Sequence, residues 1–288
     1  MATLKDIKLR MVSIENTQQI TKAMKMVAAS KMRKAEENVT KSRAYAEKLK
    51  AIISNLSGGL DESAHPLLKQ REGGKAVVLL ITTDRGLCGG LNVNLCKKIH
   101  KFVPDETNKL ELVELVAFGK KGNEFFLNRG GKIAESFRDM KEQQYAETLG
   151  KKIKELIKQY IDGDFNHLFI AFNQFKNVVT QIPTLQQVLP IEPPEEEESA
   201  TTDQTEFIFE PSGEGILNAI LPEYVENQAF TALLNNTASE HAARMTAMDA
   251  ATNNAGDMLS ALQIQYNRAR QAAITSELIE IISGAEAI

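Results

Sequence analysis

Tryptophan is absent from this chain, and aromatic residues make up only 6% of it, which suits a helical, alanine-rich protein. Long apolar runs are missing too. The longest strongly apolar stretch, Ala76–Ile81, is far short of the roughly 18 residues that a bilayer-spanning helix needs. The N-terminus has no apolar signal core and carries Asp6 and Glu15 early, which argues against a secretory or transit peptide. The expected location is therefore the cytoplasm, or a matrix or stroma after processing. Cysteine is scarce: Cys88 and Cys96 stand eight residues apart, on a turn and the helix after it, and read as free, partly buried thiols rather than a disulfide. The four histidines (His65, His100, His167, His241) are scattered singly, so no zinc-like spacing exists and no metal or cofactor is expected.

Proline and glycine are missing where it matters most. None interrupts the chain from Met1 to Ser57. Residues 4–56 therefore read as one helix about 80 Å long at about 1.5 Å per residue. Alternate steps of three and four pick out Leu4, Ile7, Met11, Ile14, Gln18, Thr21, Lys25, Ala28, Met32, Ala35, Val39, Ser42, Ala46, Leu49, Ile53 and Leu56. Most are apolar, and the stripe is narrow, as in a coiled-coil seam. Its polar break is concentrated at Gln18, Thr21 and Lys25. At the other end only Gly256 interrupts Glu223–Ser283, a second helix about 90 Å long. Pro222 suits its first turn or a kink. The ends differ in charge. Residues 1–60 hold twelve Lys/Arg and five Asp/Glu (+7), whereas residues 211–288 hold three Arg and nine Asp/Glu (−6). Opposite charge suits pairing of the two ends. The basic helix has no aromatic platform beside it, so a nucleic-acid partner is not expected.

Between the helices the period changes. Ala76–Thr82 is a continuous buried strand, followed by the turn Asp84–Gly90 and a helix over Leu91–Phe102. Strands over Leu110–Phe118, Lys132–Phe137, His167–Phe172, Val178–Leu189 and Thr205–Glu210 alternate at first with helices over Lys120–Asn128 and Gln143–Tyr160, which predicts a doubly wound sheet. Pro193-Pro194 and Glu195–Glu198 mark a solvated linker. The expected fold class is α/β. Residues 1–58 and 212–288 are long N- and C-terminal helices forming an antiparallel coiled coil, and residues 75–210 are a central Rossmann-like α/β domain with the acidic linker 190–204 within it.

The chemistry is thin. The turn glycines Gly86, Gly89 and Gly90 have neither the dinucleotide spacing nor that of a Walker A loop, and no Gly-Lys-Ser/Thr follows. A tight turn in which Asp84 and Arg85 pair or cap locally is the simpler reading. No nucleophile–base set can be assembled from the sequence, so no active site is expected. Three function classes remain open on residues alone: a mechanical subunit, a nucleotide-binding enzyme with coiled-coil arms, and a scaffold whose terminal helices pair between molecules.

Three stretches carry a resemblance. They are Ile14–Arg33 (IENTQQITKAMKMVAASKMR), Thr83–Asn92 (TDRGLCGGLN), and Ser239–Met248 (SEHAARMTAM) continued by Asn267–Leu278 (NRARQAAITSEL) and Ser283–Ala285. In order and from end to end, the chain resembles the gamma subunit of F-type ATP synthases. The resemblance implies a non-catalytic rotor shaft inside a hexamer of alternating alpha and beta subunits, with the α/β domain outside it against the epsilon subunit and the c-ring. It also implies site residues. The break at Gln18–Lys25, with Met24 and the adjacent Lys22 and Lys25, would face the acidic lever loop of beta. Arg244 lies in a matching motif. Arg270 and Gln271, with Thr275 and Glu277, match positions that meet beta's catch loop. Asp84, Arg85, Gly86, Cys88 and Gly89 belong to the family's turn. Plastid relatives carry an inserted redox loop with a cysteine pair, which this chain lacks, so thiol regulation is not expected. The resemblance places the chain at the cytoplasmic face of a bacterial plasma membrane, held to the membrane only through the c-ring.

Overall fold

A computed structural model describes residues 3–57, 65–71, 73–103, 110–191 and 213–286. The glycine stop at Gly58-Gly59, the acidic tract Glu195–Glu198 and the strand expected over Thr205–Glu210 lie outside them. The elements in order are α1 (Leu4–Ser57), β1 (Gly74–Ile81), α2 (Leu91–Phe102), β2 (Leu110–Phe118), α3 (Lys120–Leu127), β3 (Glu135–Phe137), α4 (Glu142–Asp162), β4 (His167–Phe175), β5 (Gln181–Leu189) and α5 (Gly213–Glu286). The chain divides into two compact units: Met1–Ser30 with Arg244–Ile288, and Lys31–Ala243. Helices α1 and α5 belong to both.

Helix α1 starts on a capping box. Thr3 Oγ1 accepts the Asp6 amide at 3.3 Å, and Asp6 Oδ2 takes the Thr3 amide at 3.0 Å and its hydroxyl at 2.7 Å. Those bonds hold the Asp6 carboxyl below its usual pKa. Along α1, every seam residue from Leu4 to Ile53 is buried or half-buried. Of the described residues between them, only Met24 and Ala29 are not exposed.

In the first unit, α1 and α5 run antiparallel. Rising numbers on α1 meet falling numbers on α5: Gln18 reaches Thr252, Thr21 also reaches Thr252, and Lys25 reaches Asp249. Helix α5 has its own seam, with Met248, Thr252, Ala255, Leu259, Leu262, Tyr266, Ala269 and Ala273 all buried or half-buried in alternate steps of four and three. Beyond Ala273 every residue with a described side chain is exposed.

The second unit is built on a five-stranded sheet in the order β3-β2-β1-β4-β5, with β1 to β4 parallel and β5 antiparallel. β1 is central and covered on both faces, which explains its unbroken apolar run. Val77, Leu79 and Ile81 point into a core with α4 (Leu149, Ile153, Leu156, Tyr160), the plug Leu67-Leu68 and α5 (Leu217, Leu221, Val225). Val78 and Leu80 point into the opposite core with Leu95, Cys96 and Ile99 of α2 and Phe126 of α3.

Several boundaries differ from the sequence reading, among them the end of β4, which lies at Phe175 rather than Phe172. β3 begins at Glu135 rather than Lys132. β5 begins at Gln181 rather than Val178, because Asn177 Oδ1 accepts the amides of Val179 and Thr180 and closes a turn there. Helix α5 begins at Gly213, next to the expected start at 212, and Pro222 sits inside it rather than in its first turn.

Candidate functional site

The turn after β1 lies at the carboxyl end of the parallel strands, where open α/β sheets bind ligands. Here the chain fills that position itself. Asp84 Oδ1 accepts the Lys120 amide at 2.9 Å, and Asp84 Oδ2 accepts the Tyr145 hydroxyl at 2.5 Å. The Lys121 amide goes to the Thr83 carbonyl at 3.0 Å and the Gly122 amide to Thr82 Oγ1 at 2.9 Å. The first three amides of α3, the donors that could cradle a phosphate, are thus all satisfied within the chain. Burial, with the Asp84 carboxylate beside it, pushes the Tyr145 hydroxyl well above its ordinary range. Two glycines make this packing possible. Gly119 has φ +100°, and a Cβ on it would lie 2.3 Å from the Thr82 carbonyl oxygen; a Cβ on Gly122 would lie 2.8 Å from Thr82 Oγ1.

The rest of the turn is tied by Asn92, whose Oδ1 accepts the Thr83 amide at 3.1 Å. Its Nδ2 donates to Thr83 Oγ1 at 2.8 Å and to Cys88 Sγ at 3.3 Å. Arg85 and Gly89 are exposed, Gly86 is half-buried, and Leu87 is exposed with φ +63°. Cys88 and Cys96 are buried, and neither forms a disulfide. Burial pushes the Cys96 thiol up to about 12.

The polar break of α1 turns inward within the first unit. Thr252 Oγ1 donates to Thr21 Oγ1 at 2.8 Å, Gln18 Nε2 donates to the Thr252 carbonyl at 3.4 Å, and Lys25 Nζ pairs with Asp249 Oδ1 at 2.6 Å. Gly256 provides the clearance, since a Cβ there would sit 3.1 Å from Gln18 Nε2. Both charged side chains remain over 40% exposed, so the ion pair contributes no more than about 1 kcal/mol. Met24 and Arg244 are half-buried, and Lys22 is exposed.

Arg270, Gln271, Thr275 and Glu277 lie further along α5 and are exposed; Thr275 Oγ1 donates back to the Gln271 carbonyl at 2.9 Å. At about 1.5 Å per residue, Arg270 is about 27 Å along the helix from Thr252. The structure therefore separates the candidate residues into a polar layer near Lys25 and an exposed set near the end of α5. Exposed apolar side chains cluster in the same terminal segment: Ile274, Leu278, Ile279, Ile281 and Ile282 are each 48% or more exposed. Sequence reasoning missed Lys120 and Tyr145 as partners of Asp84, and Asp249, Thr252 and Gly256 as partners of the polar break. The four–three spacing from Met248 onward was the available signal for the latter.

In the first unit α5 runs past its own seam into an exposed terminal segment, and in the second the carboxyl end of the sheet is filled by side chains of the chain itself. The chain belongs to the ATP synthase gamma chain family: the ATP synthase family model matches residues 3–288. It is 48% identical to the ATP synthase gamma chain of Geotalea daltonii and 46% identical to that of Geotalea uraniireducens, each match covering 100% of this chain and 99% of the relative. The gamma chain of Trichlorobacter lovleyi is 45% identical with the same coverage. Among solved structures the fold is similar to a chain of the Euglena gracilis mitochondrial ATP synthase in rotational state 3 (TM-score 0.69, 19% identity, 99% of this chain and 94% of that one). It is also similar to a chain of the Tetrahymena thermophila mitochondrial ATP synthase central stalk and c-ring (TM-score 0.59, 24% identity, 81% and 99%). Among the described residues, no helix is long and apolar enough to cross a membrane.

Proposed function

We propose that this chain is the central-stalk rotor subunit of an F-type ATP synthase, coupling ion-driven rotation of a c-ring to conformational change in catalytic beta subunits. The observation that carries this reading is the end of α5, where five large aliphatic side chains are exposed on a helix that has run past its own seam. Exposed apolar surface of this kind marks an interaction site. A socket formed by the alpha–beta hexamer would cover it, with Arg270, Gln271, Thr275 and Glu277 as its polar contacts. Met24, Lys22, Lys25 and Arg244 would form a second contact with beta. The α/β unit would meet the epsilon subunit and the c-ring, at the cytoplasmic face of the membrane, with the chain itself taking no part in bond chemistry.

Coupling in such a machine is population shift. Each orientation of the stalk makes different contacts with open and closed beta conformations and biases them by the difference in interaction energy. Mixing the purified chain with alpha and beta subunits from the same source tests the reading. One copy per hexamer with stimulated ATP hydrolysis is expected. A stable homodimer of this chain that ignores alpha and beta would overturn it.

A further inference from the structure

Helix α5 meets the sheet through polar groups as well as an apolar stripe, and those groups are buried. Pairing of β1 with β4 ends at Leu80↔Ala171. Beyond that point the backbone of β4 is met by side chains of α5. Asn236 Oδ1 accepts the Asn173 amide at 3.3 Å and Asn173 Nδ2 at 3.0 Å. Asn235 Oδ1 accepts the Phe175 amide at 3.3 Å, and Ser239 Oγ donates to the Asn173 carbonyl at 2.9 Å. Asn173 and Ser239 are fully buried, with Asn236 3% and Asn235 7% exposed. Asn235 is itself steadied by donating to the Thr231 carbonyl at 2.9 Å.

Side chains of α5 thus satisfy three main-chain groups of β4. An apolar helix face would leave those groups buried without partners. Asn173 Oδ1 is buried and has no hydrogen-bond partner among the described residues. The best-attested use of buried polar groups is to fix register. Apolar packing lets a helix slide or roll by a fraction of a turn at little cost. Three bonds to backbone atoms and a fourth to the Asn173 side chain do not.

We propose that Asn235, Asn236 and Ser239 form a joint that locks α5 to the end of β4 against axial sliding and rolling, and that they are positioning residues for rotary coupling. This rests on the reading of the chain as a rotor: torque taken up by the α/β unit would enter α5 at this joint.

The test uses the complete ATP synthase carrying Asn236→Ala, Asn235→Ala or Ser239→Ala, with ATP-driven ion pumping and ATP hydrolysis measured on the same vesicles. Their ratio cancels the amount of assembled enzyme, so mere destabilisation leaves it unmoved. The ratio is expected to fall at least about twofold in Asn236→Ala. It should recover in Asn236→Asp, which keeps a carboxyl oxygen for both donors. In Asn235→Ala, hydrogen-exchange protection of the Phe175 amide should drop about tenfold, the effect of one lost hydrogen bond. Should Asn236→Ala not assemble, Ser239→Ala, which removes a single bond, is read in its place. Wild-type ratios in the assembled alanine variants would overturn the joint while leaving the rotor reading intact. Failure of the wild-type chain to assemble and pump would instead overturn the rotor reading.

Discussion

Tyr145, on α4, donates its hydroxyl proton to Asp84, in the turn after β1, across 2.5 Å. The pair ties together two segments 61 positions apart and, with the Lys120 amide on the other carboxylate oxygen, closes the sheet's ligand crevice from within. Tyr145→Phe removes this bond and leaves a half-buried carboxylate short of a donor. Equilibrium urea unfolding is expected to show a loss of about 1–3 kcal/mol. An unchanged midpoint would mean that water replaces the hydroxyl without cost.

Two glycines should respond to the same substitution in opposite ways. Gly119→Ala forces a Cβ against a backbone oxygen at a left-handed φ, and about 2–5 kcal/mol of destabilisation is expected. Gly256→Ala meets only the tip of Gln18, which can move by a few tenths of an ångström. The helix gains from losing a glycine, so a change between neutral and about 1 kcal/mol stabilising is expected. Thermal melts of both variants check the contrast.

Acid should weaken the second unit through His65 and His167. Burial lowers the pKa of both imidazoles below the ordinary 6.5. His65 Nδ1 accepts the Leu67 amide at 3.1 Å, which requires a neutral ring. The unfolded chain therefore binds protons that the folded chain refuses. Stability is full above about pH 6.5 and falls as the pH drops through the window between that value and the folded-state pKa. His65→Asn keeps an acceptor for the Leu67 amide and removes one titrating group. Its stability–pH curve should be flatter between pH 6.5 and 5, and a curve that overlays the wild type would exclude His65 as a source.

Arg270→Ala and Gln271→Ala alter exposed side chains with no packing role in the isolated chain. The unfolding transition should stay where it is, while ATP-driven ion pumping by the assembled complex falls. Normal pumping in both variants would remove these residues from the coupling site.

The seam of α1 was legible residue by residue because large aliphatic side chains recur along it, and its polar break was visible as a gap in that pattern. The seam of α5 was not, because Thr252, Ala255, Ala269 and Ala273 look like surface residues of any alanine-rich helix. The β1 strand showed itself by burial on both faces. The start of β5 was misplaced because an Asx turn at Asn177 can only be told from strand by the bonds it makes. The role of Asp84 was not legible: a local pair or cap was expected, but its carboxylate is held by Lys120 and Tyr145, which are distant in sequence, and no local pattern names them. The polar residues at the end of α5 have no signature of their own, and only resemblance to a family singled them out.

The burial of Cys88 and Cys96 has a practical side. A thiol with a pKa near 12 is almost entirely protonated at neutral pH, and Cys88 is enclosed as well. Toward maleimides and other alkylating probes the native chain should behave as though it had no cysteine. A single cysteine introduced on the exposed end of α5, such as Ile282→Cys, would then take a fluorophore or a tether at one known point, without first stripping the protein of its own sulfur.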